Sequence, residues 1–198
     1  WTDAEPPPDP PPVFLVGFPR SGTTLLDTLL MGHPDVAVVE EVPALGLAAE
    51  AVGTIDRLAE LDEAALDGLR RTYGEAIASA LPPGFAGTIV DKLPLNMVHA
   101  PLIHRLFPGA RIVFARRHPC DCVLSAFFQR FALNPAMACF LDIADAADLY
   151  DAAMETWTRS VGALALNVHD IGYEAMVESP GEELRTLVDF LGLDWSDG

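Results

Sequence analysis

Residues 13 to 26 read Val-Phe-Leu-Val-Gly-Phe-Pro-Arg-Ser-Gly-Thr-Thr-Leu-Leu. The apolar run from Val13 to Val16 predicts a buried strand, and the pattern from Thr23 onward predicts a helix. Between them lies a tight turn that carries Pro19 and Gly22. A strand, a glycine-bearing loop and a helix start together bind phosphate through backbone N–H groups and the helix dipole. We therefore interpret this stretch as a phosphate-binding loop.

The loop differs at one position from that of the nucleotide triphosphatases. Gly17 and Gly22 have the spacing of a P-loop, but the next residue is Thr23, where those enzymes require a lysine. The stretch therefore favours binding of a single phosphate over a triphosphate with magnesium.

The chain is strongly acidic, with a formal net charge of −17 over 198 residues and only 12 lysines and arginines. Such a surface repels nucleic acid and anionic membranes, so we expect neither as a partner. No apolar run is long enough to predict a membrane span. A site for an anionic ligand must concentrate the few basic residues, among which Lys92 is the single lysine.

The three cysteines, Cys120, Cys122 and Cys139, favour free thiols over a metal site. Their number is odd, and one residue between Cys120 and Cys122 is not the gap of a zinc knuckle. We therefore expect no metal ion. Free thiols and the lack of a visible signal peptide predict a cytoplasmic location.

Two regions are predicted along the chain. Residues 1–12 contain six prolines and form a proline-rich arm or linker. Residues 13–198 have the length of one domain, in which strands alternate with helices. This alternation predicts an α/β fold with a parallel, doubly wound sheet. The expected strands lie near 13–17, 36–39, 88–90, 111–115 and 165–172, and the helices near 23–32, 44–80 (one or two), 95–107, 119–131, 142–162 and 180–192.

Polar side chains are predicted at the carboxyl ends of all five strands, where such sheets bind ligands. Arg117 follows the fourth strand, and Ser125 lies about two turns into a helix that starts at Pro119. A second phosphate fits between this guanidinium and this hydroxyl. Alone, however, an arginine at a strand end is a weak signal.

Two motifs together resemble the nucleotide-binding signatures of sulfotransferases that use 3′-phosphoadenosine-5′-phosphosulfate (PAPS). They are Phe18-Pro-Arg-Ser-Gly-Thr-Thr24 and Arg117-His-Pro-x-Asp-x-x-x-Ser125. The likeness covers nearly the whole chain and is strongest for the tyrosylprotein branch and a bacterial group often fused to tetratricopeptide repeats. It implies a P-loop-like, three-layer α/β fold with a central parallel sheet, and metal-free sulfuryl transfer to a hydroxyl or amine acceptor.

The resemblance also implies a set of cofactor-binding residues. The 5′-phosphosulfate would be held by the loop residues Arg20, Ser21, Gly22, Thr23 and Thr24. Arg117 and Ser125 would hold the 3′-phosphate. Tyr173 lies where the family has a tyrosine near the adenine, and a core aromatic at a strand end is an equal alternative.

Two catalytic residues are implied in the same way. Lys92 would stabilise charge on the oxygen that bridges sulfur and phosphorus. Glu41 follows Arg20 by twenty-one residues, the offset of the proposed general base in the tyrosylprotein branch. Glu40 is its rival. If residues 36–41 are extended, the two side chains point to opposite sides and only one faces the site.

Several alternatives stay open at this point. A P-loop kinase or related phosphotransferase is disfavoured by Thr23, whereas a non-catalytic nucleotide-binding module fits the proline-rich arm and the acidity. The acceptor can be a small molecule, a glycan or a peptide hydroxyl, and N-terminal repeats can precede the domain in the full-length protein. In the family a further segment follows the stretch that ends at Trp195, so we expect the 13–198 domain to lack its C-terminal segment.

Overall fold

The computed structural model describes residues 10–132 and 134–196. Its centre is a five-stranded, wholly parallel sheet in the order β2-β3-β1-β4-β5. The strands are β1 Val13–Gly17, β2 Val36–Glu40, β3 Thr88–Lys92, β4 Arg111–Arg116 and β5 Asn167–Gly172. The predicted α/β fold with a parallel sheet is confirmed. The division at residue 12 stays a prediction, because residues 1–9 of the arm lie outside the described residues.

Helices cover both faces of the sheet. Within the described ranges, the α-helices are α1 Thr23–Leu30, α2 Ala44–Val52, α3 Ile55–Glu60, α4 Glu63–Ala78, α5 Ala100–Leu106, α6 Pro119–Phe127, α7 Pro135–Ala138, α8 Ile143–Ala163, α9 Tyr173–Glu178 and α10 Pro180–Leu191. Short 3-10 helices span Pro94–His99 and Cys139–Leu141. In the part of the chain that the structure describes, no helix has both the length and the apolar character of a membrane span.

Two regions that were predicted to be helical are divided further in the structure. Residues 44–80 form three helices, because Gly53 ends α2 with a positive φ of 84° and Asp62 caps α4 through its side chain. The helix predicted over 95–107 begins as a 3-10 turn and becomes α-helical only at Ala100. Pro101 explains this change, since it has no N–H to donate to the carbonyl four residues earlier.

Neighbouring residues of β3 face opposite sides of the sheet, because side chains alternate along a strand. Lys92 is aligned with Leu15 on β1 and with Glu40 on β2, on the face that α1 and α10 cover. Asp91 is aligned with Phe14 and faces the other core, beneath α2, α4 and α8. The register therefore places the one lysine and its neighbouring aspartate in separate environments.

Asp91 is a fully buried carboxyl group in the second of these cores. The Tyr73 hydroxyl donates a hydrogen bond to Asp91 Oδ2 at 3.0 Å, and the Tyr73 ring packs against Phe14 and Phe107. Burial raises the pKa of Asp91 to about 7, and the hydrogen bond from Tyr73 offsets only part of that rise. Asp91 therefore changes charge near neutral pH inside the core.

This raised pKa makes folding stability depend on pH in a defined direction. Between the ordinary carboxyl pKa of 3.8 and about 7, the folded chain binds more protons than the unfolded chain, so the free energy of unfolding falls as pH rises. In the parent protein the free energy of unfolding should fall by on the order of 4 kcal/mol over this pH range, and Asp91→Asn should remove this fall. Urea unfolding from about pH 4 to about pH 8 measures it.

The matched control is Asp148→Asn, which replaces an exposed aspartate on α8 and should keep the parental slope. Identical pH slopes for Asp91→Asn and the parent protein would show that Asp91 is not the responsible group.

Candidate active site

The loop after β1 follows the middle strand of the sheet. β1 pairs with β3 on one side and β4 on the other, so its loop is flanked by the ends of both. Lys92 ends β3, Arg117 directly follows β4, and Tyr173 directly follows β5. Because all strands are parallel, these residues share one edge of the sheet, which is the usual ligand site of such folds.

The loop has the backbone geometry of an anion site. Ser21 N–H donates to the Phe18 carbonyl at 3.0 Å, and Gly22 has a φ of 102°. α1 begins at Thr23, and no side chain among residues 10–132 and 134–196 caps it. The Ser21 hydroxyl is buried and has no hydrogen-bond partner within those ranges. The helix start and this hydroxyl therefore offer donors to a phosphate.

Two glycines of the loop are required by close packing. A Cβ atom at Gly17 would lie 2.4 Å from the Ala115 carbonyl oxygen, and one at Gly22 would lie 2.5 Å from Tyr173 Cδ2. Both glycines also have a positive φ, which L side chains rarely adopt. Tyr173 therefore packs directly against the loop.

The second motif is in contact with the loop. Arg20 Nε donates to Ser125 Oγ at 3.0 Å, and Arg117 Nη1 donates to the Arg20 carbonyl at 3.2 Å. The Arg117 guanidinium lies 4.4 Å above the centre of the Tyr173 ring. Arg20 was expected beside the 5′-phosphosulfate, and its side chain here joins the loop to the residue expected at the 3′-phosphate. Ser125 is the seventh residue of α6, as the sequence predicted.

Glu174 supports the second motif and was not singled out as a site residue from the sequence. Its carboxylate accepts a hydrogen bond of 3.0 Å from the His118 N–H, next to Arg117. This hydrogen bond lowers the pKa of Glu174 below the ordinary value. The contact ties the start of α9 to the turn after β4 and so fixes the position of Arg117.

Lys92 lies in a cluster of three carboxylates. Its Nζ atom is 3.2 Å from Asp27 Oδ2, 3.3 Å from Glu40 Oε2 and 3.3 Å from Glu41 Oε1. The side chains of Lys92 and Asp27 are 2% and 1% exposed, whereas those of Glu40 and Glu41 are 50% and 66% exposed. Burial alone would lower the pKa of Lys92, but its ion pairs, first with Asp27 and then with Glu41, raise it. The ammonium group is therefore held charged.

Both glutamates reach Lys92, because the condition under which only one of them would face the site is not met. That condition is an extended backbone through residue 41. β2 instead ends at Glu40, and Glu41 has a left-handed φ of 55° while its N–H donates to the Lys92 carbonyl at 2.8 Å. The turn at Glu41 brings its carboxylate to the same side as that of Glu40.

Arg20 and Glu41 share an uncommon backbone conformation. Their φ angles are 73° and 55°, and among the non-glycine residues of the described ranges no others are positive. A left-handed backbone is unfavourable for a residue with a Cβ atom and is concentrated at functional sites. The two strained positions thus coincide with the loop and with the carboxylate cluster.

Asp27 is the member of this cluster that the sequence reasoning missed. A signal was available, because Asp27 lies four residues after Thr23 and three before Leu30, on the buried side of α1. A charged residue on the apolar side of a short helix requires a partner in the core.

The three cysteines are free thiols. Across the described ranges, no group of three or more histidine, cysteine, aspartate or glutamate side chains is arranged to hold a metal ion.

The chain is similar to several known proteins along nearly its whole length. It is 28% identical over 212 residues to the nodulation protein NoeE of Sinorhizobium fredii, covering 91% of this chain and 50% of that protein. It is 27% identical over 205 residues to a protein-tyrosine sulfotransferase of Drosophila melanogaster, covering 94% and 39% respectively. The chain thus spans half or less of the length of these relatives.

A solved structure shares the fold. The sulfotransferase domain from the curacin biosynthetic pathway superimposes with a TM-score of 0.64 at 21% identity, covering 93% of this chain and 75% of that one. The model of the sulfotransferase family matches residues 11–197. The loop, the second motif and the sheet order are thus accompanied by a match over almost all residues, and the chain belongs to the sulfotransferase family.

Proposed function

We propose that this chain transfers a sulfuryl group from PAPS to the hydroxyl or amine of an acceptor. The observation that carries the proposal is the 3.0 Å hydrogen bond from Arg20 Nε to Ser125 Oγ. It joins the two motifs through residues that are 105 positions apart in the chain. PAPS carries two separate phosphate groups, and the two motifs provide an anion site for each. Membership of the sulfotransferase family supports the same conclusion.

The unsatisfied donors of the site fit such a molecule. The Ser21 hydroxyl and Arg117 Nε are buried without hydrogen-bond partners in the part of the chain that the structure describes. In our proposal, the 5′-phosphosulfate is held by Arg20, Ser21, Gly22, Thr23 and Thr24. Arg117 and Ser125 hold the 3′-phosphate, and Tyr173, which packs between the loop and Arg117, borders the adenine.

The carboxylate cluster provides the groups for transfer. PAPS supplies an activated sulfuryl group, and its transfer leaves the bisphosphate PAP. Glu41 accepts the proton of the acceptor as the new bond to sulfur forms; its carboxylate is exposed to solvent and lies 3.3 Å from Lys92 Nζ. Lys92 neutralises the charge that develops on the departing phosphate oxygen. No metal ion is required, since the protein supplies both the base and the cation.

The acceptor is proposed only as a class that bears a hydroxyl or amine: a small molecule, a glycan or a peptide. A screen with radiolabelled PAPS against these three classes identifies it. We also propose a cytoplasmic location, because the three cysteines are free thiols.

The first test separates PAPS chemistry from that of a kinase. We expect isothermal titration calorimetry to show binding of PAP and no comparable binding of ATP with magnesium. Thr23 stands where an ATP-binding loop needs a lysine, whereas Arg117 and Ser125 match a 3′-phosphate that ATP lacks. Magnesium-dependent ATP turnover would support a phosphotransferase instead. PAP binding without turnover of any acceptor would support a non-catalytic module.

Arg117→Ala should weaken PAP binding by about 10- to 100-fold, because a charge-assisted hydrogen bond to phosphate is lost. Arg116→Ala is the matched control. Arg116 is the neighbouring residue, but it is 56% exposed and pairs with Asp170. Equal PAP affinities of the two variants would contradict the placement of the 3′-phosphate at Arg117.

Glu41→Gln should lower kcat by about 10²- to 10⁴-fold, because glutamine accepts no proton, while PAP affinity stays within about twofold of the parent. Glu40→Gln is matched closely, since Glu40 also lies 3.3 Å from Lys92 Nζ and is also exposed. A loss of kcat in Glu40→Gln but not in Glu41→Gln would identify Glu40 as the base. Full turnover by both variants would exclude a carboxylate base at this turn.

Lys92→Met should reduce kcat by about 10²- to 10³-fold, because the positive charge beside the departing oxygen is lost. The substitution also leaves Asp27 buried without a counter-charge, which destabilises the fold by about 3–5 kcal/mol. The double variant Asp27→Asn/Lys92→Met removes both charges and should recover stability without recovering transfer. Recovery of transfer in the double variant would show that Lys92 acts only on stability. Thermal unfolding and turnover are measured on the same samples.

A further inference from the structure

Asp27 occupies a position that neither the helix nor the core explains. It lies within α1, away from the helix start where aspartate stabilises by capping. Its side chain is 1% exposed, so the carboxylate is almost completely desolvated. Apolar residues of the same helix, Leu26 and Leu30, pack beside it in the core. A buried carboxylate in such a place requires a specific partner.

The partner is the Lys92 ammonium group. Lys92 Nζ lies 3.2 Å from Asp27 Oδ2, and both side chains are almost fully buried. The second carboxylate oxygen, Oδ1, accepts a hydrogen bond of 3.2 Å from the Thr28 hydroxyl. A buried ion pair is often no more stabilising than two apolar residues of similar size. The pair is therefore better explained by what it does for Lys92 than by stability.

Asp27 differs from the two glutamates in its freedom to move. The side chains of Glu40 and Glu41 are half-exposed or more, so they can rotate toward solvent or an acceptor. Asp27 is enclosed and projects from the helix whose first residue, Thr23, belongs to the phosphate-binding loop. The same helix therefore fixes the position of the loop and the position of the carboxylate that contacts Lys92. A site built on a regular secondary-structure element is held more accurately than one built on loops.

We propose that Asp27 is a positioning residue that anchors the Lys92 ammonium group at the phosphate-binding loop, leaving Glu40 and Glu41 free to act on the acceptor. The inference rests on the sulfuryl-transfer function proposed above. In this proposal Asp27, which is only 1% exposed, contacts neither the acceptor nor the donor. It acts through Lys92 by fixing the place of Nζ and by keeping that group charged.

The chain offers a direct observation of this anchor, because Lys92 is its single lysine. Isotope-labelled lysine gives one side-chain NMR signal, whose pH titration yields the pKa of Lys92 without an activity assay. Carboxylates face Nζ from α1 (Asp27) and from the end of β2 (Glu40 and Glu41). Ion pairing with Asp27 is the largest contribution that raises the pKa of Lys92. Asp27→Asn should therefore lower it.

Asp91→Asn is the matched control for this titration. Asp91 is equally buried and next to Lys92 in sequence, but it faces the opposite core and contacts Tyr73. We expect a smaller change in the pKa of Lys92 than in Asp27→Asn. Equal changes in the two variants, or none in Asp27→Asn, would overturn the anchor.

A second variant tests the anchor without altering the core. Glu40→Gln/Glu41→Gln removes both exposed partners and leaves the Asp27–Lys92 pair in place. We expect Lys92 to keep a raised pKa and to stay protected from an acylating reagent. A pKa at or below the ordinary lysine value, or rapid acylation, would show that the glutamates hold Lys92 and would overturn the inference.

Turnover then separates positioning from a merely structural role. Asp27→Asn should lower kcat by about tenfold to a hundredfold while the KM for PAPS and the affinity for PAP stay nearly unchanged, because a displaced Nζ affects the transfer step. The alkaline limb of its pH–rate profile should move to lower pH with the pKa of Lys92. An unchanged kcat, or equal losses in kcat and PAP affinity, would overturn the positioning role. Absence of turnover in the parent protein counts against the proposed function. The NMR titration does not depend on turnover, so it still tests whether Asp27 anchors Lys92.

Discussion

The position of β1 between β3 and β4 is the constraint on which the site depends. It places the loop after β1 between the end of β3, which carries Lys92, and the end of β4, which leads into Arg117. Close packing at Gly17, where a side chain would meet the Ala115 carbonyl, keeps the loop against β4. The distances among the groups of the site therefore follow from strand order, and the loop alone would specify neither neighbour.

The fold and the edge that carries the site could be predicted from the sequence, because both depend on local patterns. Alternating strands and helices predict a parallel sheet, and the residues after each strand predict its functional edge. What the sequence did not reveal depends on contacts between distant residues. The role of Asp27 becomes evident only from its contact with Lys92, which lies 65 positions further along the chain. The contact of Glu41 with Lys92 depends on one left-handed residue that no pattern of strand residues predicts.

The charges of the site contrast with those of the whole chain. In the proposed function, a chain with a net charge of −17 binds an anionic nucleotide against its overall field. Three of its twelve basic residues, Arg20, Lys92 and Arg117, lie at this edge of the sheet. Arg20 and Arg117 contact each other through the Arg20 carbonyl, and Lys92 is held charged by carboxylates. The individual cations of the site are thus held in place by specific partners, and the site does not require a basic surface.

The left-handed backbone at Glu41 implies a trade-off between the stability of the fold and the proposed catalytic role of this residue. A residue with a Cβ atom in this conformation costs on the order of 1 kcal/mol, which glycine would avoid. Selection for a more stable fold would therefore favour glycine at this turn, and the same exchange would delete the proposed base. Stabilised variants of this protein obtained by consensus or by screening for heat resistance should be inspected first at position 41.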